Sequence, residues 1–169
     1  PEEVLARLKE TADRLADERA ALPPSDSLQG EELRAGCVYG VYDPFTRTCT
    51  VARAGHPAPL VVGPDGRAVP LDVPEGAGLF DTDGALFAPA TVTLEEGSVL
   101  AFCSAELLAD ERAEERITRT LAHPGRSLQQ LGDDIVYALP DDTRSAGAAL
   151  LLARTGTVSE HRVATWDLA

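Results

Sequence analysis

The stretch CVYGVYDPFTRTCTVARAGHPAPL, Cys37 to Leu60, decides how the rest of the chain is read. Two runs, Cys37–Asp43 and Cys49–Ala54, are rich in Val, Tyr, Thr and Cys and flank a short turn containing Asp43-Pro44. β-Branched and aromatic residues bounded by Asp, Pro and Gly spell a hairpin. The hairpin runs into AGHPAPL, whose Gly and Pro residues stop the second strand and turn the chain. Beyond it, LVVG, the turn PDG and RAVPL make a second hairpin. Val73 to Ala90 is rich in Gly, Pro and Asp and reads as a long loop. TVTLEEGSVLAFC then resumes as two strands about Glu95-Glu96-Gly97.

Helices flank this β-rich middle. Val4, Leu5, Leu8, Ala12, Leu15 and Ala16 recur at helical spacing within residues 2–22, predicting one apolar stripe that Pro23-Pro24 ends. Ser25 to Leu33 is polar loop. Ala105 to Ala122 turns helical again, and Pro124-Gly125 breaks it. Ser127 with Gln130 three residues on is a capping-box start, and Leu128, Leu131, Ile135 and Leu139 form the stripe of the helix that follows. Ala148–Arg154 reads as a buried strand. The sum is α+β: antiparallel β-sheet covered by helices.

The chain's 169 residues suit one domain with one core. A net charge of −13 argues against binding nucleic acid or anionic lipid. No apolar run approaches the roughly 18 residues that span a membrane, so no membrane association is expected. The three cysteines lack C-x-x-C spacing, which argues against a disulfide framework or a zinc cluster. Reduced, buried thiols in a cytoplasmic protein are the simple reading.

Several motifs invite a catalytic reading. FDTDGALF, Phe80 to Phe87, resembles the aspartate signature of the haloacid dehalogenase-like (HAD) phosphatases, which would make Asp81 the nucleophile and Asp83 the acid/base. Pro74 to Gly78 before it make a turn instead of a strand, no lysine follows, and the surrounding elements alternate as hairpins. The motif is therefore read as an exposed turn whose Asp and Gly cap local backbone groups, with a HAD-like hydrolase as an alternative. His56 reads as a hydrogen-bonded turn residue. Cys103-Ser104 stands between strand and helix, where nucleophiles occur, but neither histidine nor a glycine-rich turn adjoins it in sequence.

Taken in order, Cys37 to Gly76, then LEEGSVLAFCSAELLAD, then AGAALLLART, resemble the SpoIIE-like branch of the PPM (protein phosphatase 2C-like) metal-dependent serine/threonine phosphatases. The resemblance covers residues 1–155, and Ala54–Leu60 is its most specific part. It implies a PPM-type αββα sandwich, here partial. In that family two Mn²⁺ or Mg²⁺ ions activate a water against phosphoserine or phosphothreonine. Their carboxylate ligands come from an N-terminal G-D-x-x-G-H-G-like turn, a T-D-G turn and a final D-D pair. The first is expected upstream of Pro1. The T-D-G turn falls on Ser104-Ala105-Glu106, with Ala105 at the aspartate position, and the D-D pair falls on Ala146-Gly147. Glu106 comes one position late, and Asp141-Asp142 come several positions early. Gly55, His56, Ser104 and Glu106 are the motif residues nearest the family site.

The resemblance therefore implies a pseudophosphatase with no metal cofactor, working by binding or signal relay in bacterial partner switching. Its partners would be an anti-anti-sigma (STAS-type) phosphoprotein and neighbouring sensor and ATPase domains. VATWDLA, Val163 to Ala169, is similar to the join to a histidine-kinase-like ATPase domain, so residues 156–169 are expected to be a linker. The alternative within the family is an active Mn/Mg-dependent phosphatase in which Glu106 or Asp142 serves as a ligand.

Overall fold

Both strands of the opening hairpin form as read. The computed structural model describes residues 1–23, 33–81, 86–108, 111–123, 125–139 and 147–156. All of the expected polar loop from Ser25 except Leu33, and the expected linker beyond Gly156, lie outside the described residues. In chain order the elements are α1 (Glu2–Ala20), β1 (Cys37–Asp43), β2 (Thr48–Ala54), β3 (Leu60–Val62), β4 (Ala68–Pro70), β5 (Ala90–Thr93), β6 (Val99–Cys103), α2 (Glu111–Leu121), α3 (Leu128–Ala138) and β7 (Leu150–Arg154). The strands build two antiparallel sheets, one in the order β1-β2-β5 and one in the order β4-β3-β6-β7. Among the described residues no helix is long and apolar enough to cross a membrane.

Strand alternation produces the layers. On β2, Cys49 and Val51 point between the sheets, where they meet Leu71, Val73, Leu94 and Leu100. Ala52 and Ala54 point the other way, onto Leu5 and Ala12 of α1. On β6, Val99, Ala101 and Cys103 pack against the helical layer, on Ile117 and Leu121 of α2 and Leu131 and Ile135 of α3. The result is helix, sheet, sheet, helices, an α+β architecture. β2 and β6 are buried on two faces, so neither shows the simple apolar-polar alternation of a half-exposed strand.

Four expectations are corrected, and that of two strands about Glu95-Glu96-Gly97 is met and sharpened. The single stripe of α1 divides: Leu5 and Ala12 are buried, whereas Val4, Leu8 and Leu15 are exposed. At one residue per 100°, helical geometry sets the exposed group roughly 60–100° around the axis from Leu5, beyond the strip that the sheet covers. The two strands about Glu95-Glu96-Gly97 belong to different sheets, so that turn carries the chain across the sandwich. It is tied down by Thr155, whose hydroxyl donates to the Glu95 carbonyl at 2.8 Å and whose amide donates to the Ser98 carbonyl at 2.8 Å. The helix expected from Ala105 begins at Glu111, because Ala105 to Leu108 form a turn. Of the three free thiols, Cys49 and Cys103 are buried but Cys37 is only half-buried, at the start of an edge strand. Finally, β7 is an edge strand and not a buried one. Leu150 and Leu152 pack on the helical layer, but Leu151, beside Phe102 on the opposite face, is 62% exposed.

The capping box at Ser127 is present in both directions: the Gln130 amide donates to Ser127 Oγ at 3.2 Å and the Ser127 amide to Gln130 Oε1 at 3.1 Å. It sets the phase of α3, and Leu131, Ile135 and Leu139 are buried as the spacing predicted.

Candidate functional site

The site begins where β2 stops. Gly55 has φ +54°, the left-handed region, and its amide donates to the Gly76 carbonyl at 2.8 Å. A Cβ at Gly55 would lie 2.8 Å from Gly78 Cα, and one at Gly36 would lie 2.5 Å from the Gly55 carbonyl oxygen. Three backbone segments therefore meet with no room for side chains. This is the physical reason for the glycine in AGHPAPL. Arg53 fastens the turn from the side, donating through Nε to the Val73 carbonyl at 3.1 Å and through a guanidinium nitrogen to the His56 carbonyl at 3.0 Å. His56 Nδ1 donates to the Pro57 carbonyl at 2.9 Å, as expected of a turn histidine.

The second wall is the turn after β6. Ser104 is clasped to the residue before β7: its amide donates to the Ala149 carbonyl at 3.0 Å, and its Oγ accepts from the Ala149 amide at 3.0 Å. The Leu107 amide donates to the Ser104 carbonyl at 3.0 Å, closing a tight turn around Ala105 and Glu106. Glu106 titrates below the usual carboxylate range. Its own backbone amide is the largest cause, followed by the Ser104 hydroxyl and the nearby His56. Cys103, by contrast, is buried, and burial with the Glu114 charge pushes its thiol up to about 11. A thiol held neutral in this way is no nucleophile at neutral pH.

Both walls border one cavity of about 1000 Å³. Gly55 and Gly78 line it from one side and Ala105 and Glu106 from the other. The last turn of α1 adds Arg19, and the segment before β1 adds Arg34. Asp81 also lines it, its carboxylate accepting from the Gly78 amide at 2.6 Å. The expected site residues Gly55, Ala105 and Glu106 are thus brought together, with Ser104 bonded to Glu106 and His56 electrostatically coupled to it. Gly147, with φ +82°, stands just before the strand that Ser104 clasps. Asp83, Asp141, Asp142 and Ala146 lie outside the described residues.

Sequence reading missed Arg19, Arg34 and Asp81 as neighbours of this site. The first two sit in unremarkable polar surroundings. The third was set aside as a local turn, which it is; the close approach of Gly78 to Gly55 places that turn at the cavity.

The family model for stage II sporulation protein E (SpoIIE) matches residues 1–155. The chain belongs to the SpoIIE family. The RsbU and RsbW domains of Rv1364c from Mycobacterium tuberculosis match with a TM-score of 0.60 at 21% identity, over 92% of this chain and 48% of that one. A structure of the PP2C phosphatase domain and a regulatory-domain fragment of SpoIIE from Bacillus subtilis matches with a TM-score of 0.53 at 13% identity, over 91% of this chain and 49% of that one. The manganese-presoaked SpoIIE phosphatase domain from the same organism gives 0.50 at 13% identity, covering 97% of this chain and 75% of that one. The chain thus spans about half the length of the first of these structures. No curated protein matches.

The likeness carries the fold, and with it the PPM-type sandwich expected from the sequence. It also removes the HAD alternative. Asp81 sits in an exposed loop that no strand leads into, and both sheets are antiparallel. The family is metal-dependent, but the described residues that line the cavity do not fit a two-metal centre. Ala105 offers a methyl group and Gly147 no side chain, and among the described residues no group of three or more His, Cys, Asp or Glu comes together to hold a metal ion.

Proposed function

We propose that this SpoIIE-family domain binds a phosphorylated protein partner and relays that binding to neighbouring domains, without hydrolysing the phosphoester. One observation carries the reading: at the cavity, where the T-D-G turn would present its aspartate, stands Ala105. Two divalent ions need hard oxygen ligands to offset their lost hydration, and a methyl group provides none. The turn is held by the Ser104–Ala149 clasp, so the fold supports recognition where the chemistry is lost.

The partner proposed is an anti-anti-sigma (STAS-type) phosphoprotein of a bacterial partner-switching pathway in the cytoplasm. The pairing of RsbU and RsbW domains in the mycobacterial structure supports a linker role for residues 156–169 toward a histidine-kinase-like ATPase domain. The test is phosphate release from a phosphoserine peptide with Mn²⁺ present. Release at the buffer's background rate is expected. Turnover near ~1 per second, ordinary for an enzyme, overturns the proposal.

A second reading, an active Mn/Mg-dependent phosphatase, rests on the Glu106 carboxylate at the cavity. Calorimetric titration with Mn²⁺ separates the two. Saturable binding that disappears in Glu106→Ala supports the enzyme, and no binding supports the pseudophosphatase.

A further inference from the structure

Both sheets end on the same flank of the sandwich. β1 is the edge of one and β7 the edge of the other. They stand together: Tyr42 Oη donates to the Gly156 carbonyl, just past β7, at 3.4 Å. The Phe102 ring, on the neighbouring β6, comes within 3.9 Å of where a Cβ on Gly40 would stand. Tyr39, Val41 and Leu151 stay exposed on this flank. Register shows what β1 offers there. The Leu94 amide donates to the Arg47 carbonyl, one step beyond the Thr48–Thr93 pair, so odd-numbered residues of β2 bond towards β5. Its even-numbered residues therefore bond β1, through the odd-numbered residues opposite them. Val38, Gly40 and Tyr42 are left to point their N–H and C=O out of the sheet edge. Protein edges are commonly blunted by lysine, proline or a bulge. β1 has none of these, and its one charge, Asp43, stands at its end.

α1 leans over the same flank. It runs in the direction of β2, since its last turn lines the cavity with Gly55, where β2 has just ended. Ala52 and Ala54, packed with Leu5 and Ala12, are the β2 residues that bond β1. For L-residues and a right-handed helix, these two facts set the exposed Val4, Leu8 and Leu15 on the β1 side of α1. Thr11 continues the stripe, and none of the four is charged. The other sheet is covered by two helices, α2 and α3, whereas this one has α1 alone among the described residues.

We propose that this flank is an interface between two copies of the chain, related by a two-fold axis through Gly40 perpendicular to the sheet. β1 then pairs antiparallel with β1 of the second copy. Gly40 bonds Gly40 of the second copy, and Val38 bonds its Tyr42. Tyr39 stands opposite Val41, an aromatic against a β-branched residue. The same axis sets the two α1 helices side by side with their stripes facing, so that a helix pair covers the extended sheet. The exposed Leu151 edges come together in the layer below. A chain of net charge −13 repels its copy in most orientations, and this flank brings to the axis only uncharged side chains, with Asp43 at the margin. A seven-residue edge is about 23 Å long, and the helix and two sheets are about 20 Å deep, which buries roughly 500 Å² a copy. The total of roughly 1000 Å² is at the low end for a specific interface, so a dissociation constant of about 10–100 µM is expected. The inference is independent of the function proposed for the cavity.

The test is sedimentation equilibrium of the whole 169-residue chain from low micromolar to millimolar protein. The mass should rise from 17.9 kDa towards twice that value and no further, because a two-fold axis closes the assembly. Val41→Lys on the strand and Leu8→Glu on the helix should each weaken the dimer tenfold or more. Both replace exposed side chains, and circular dichroism melting checks that each variant folds. A charge swap tests the register. Chains carrying Val41→Lys, mixed with chains carrying Tyr39→Glu, should associate more tightly than either alone. The axis sets the new lysine against the new glutamate and leaves a native Tyr39–Val41 pair on its other side. A merely structural role for these residues would give no such recovery. A monomer throughout, which would leave the flank to a different partner, overturns the proposal. So does growth beyond the dimer, a dimer indifferent to either single substitution, or a mixture no tighter than its parts. Phosphate release plays no part in the measurement, so failure here leaves the non-hydrolytic reading standing.

Discussion

The turn at Gly55 and the turn at Ala105 border one cavity, yet they are built by different means. The first is set by backbone meeting backbone, with Gly36, Gly55 and Gly78 so close that a single added carbon collides. The second is set by a side-chain clasp, Ser104 on Ala149, and leaves Ala105 exposed at the cavity. A turn of the first kind tolerates almost no change in its glycines, because every alternative strains the fold. A turn of the second kind can exchange the residue at its tip without disturbing the fold. That difference would let the fold persist while the position proposed for a metal ligand holds alanine. The local fold rests on the close approach at Gly55 and the clasp at Ser104, and the proposed loss of chemistry rests on Ala105 between Ser104 and Glu106.

The largest effect is expected at the backbone-built turn. Gly55→Ala forces a side chain into the left-handed region and toward Gly78 Cα. It should cost about 3 kcal/mol of unfolding free energy, read by urea denaturation. A loss under about 1 kcal/mol would show that the three segments can part, and the contrast between the turns would fail.

The next effect is alkaline and belongs to the strand that leads into the second turn. Cys103 is pushed up from an ordinary 9.0 to about 11 because burial disfavours its thiolate. Its neutral thiol therefore stabilises the folded state fully below pH 9, and this contribution is lost as pH rises from 9 through about 11. The loss should reach roughly 2–3 kcal/mol. In Cys103→Ala the stability between pH 9 and pH 11 should fall by correspondingly less. Parallel curves for parent and variant would place the end of β6 in wetter surroundings than its burial implies.

A smaller effect tests the clasp. Ser104→Ala removes the acceptor of the Ala149 amide and should cost about 1 kcal/mol, with Ser104→Thr, which keeps the hydroxyl, near neutral. If Ser104→Ala proved silent, the clasp would not be what holds the second turn.

Much of this arrangement was legible in the sequence, and the limits were physical. Local signals located β1, β2 and α3, because Cys37–Ala54 is dense in β-branched and aromatic residues on either side of its turn, and Ser127 announces its helix by chemistry local to four residues. AGHPAPL marked one wall of the site and Ser104-Ala105-Glu106 the other. Periodicity could not divide the α1 stripe, since Val4 and Leu5 are both apolar and only the sheet's width decides which is covered. Nor could it place β5 and β6 in different sheets, because a turn that joins partners and a turn that crosses a sandwich use the same residues. Arg19, Arg34 and Asp81 come to line one cavity through packing of segments far apart in sequence, at glycines whose close approach no local pattern encodes.

The smallest expected effect is the most informative about function. Ala105 is exposed at the tip of a turn whose hydrogen bonds run through Ser104 and Leu107, so Ala105→Asp should change unfolding free energy by no more than about 0.5 kcal/mol. The variant adds one carboxylate beside Glu106 but none at Gly147, where the proposed D-D pair would fall. A ligand that binds only the folded state raises stability by RT ln(1 + [L]/Kd), so millimolar Mn²⁺ should leave the melting temperature of Ala105→Asp within about 1 °C of its value in EDTA. Mn²⁺ should begin to stabilise only when Ala146→Asp and Gly147→Asp are added, because two divalent ions held by one or two carboxylates cannot recover their hydration. A Mn²⁺-dependent rise in the single variant would mean that other carboxylates already converge on the cavity. The second turn would then be one residue away from a working metal site, and Ala105 would have to be read as a recent loss in an otherwise complete centre.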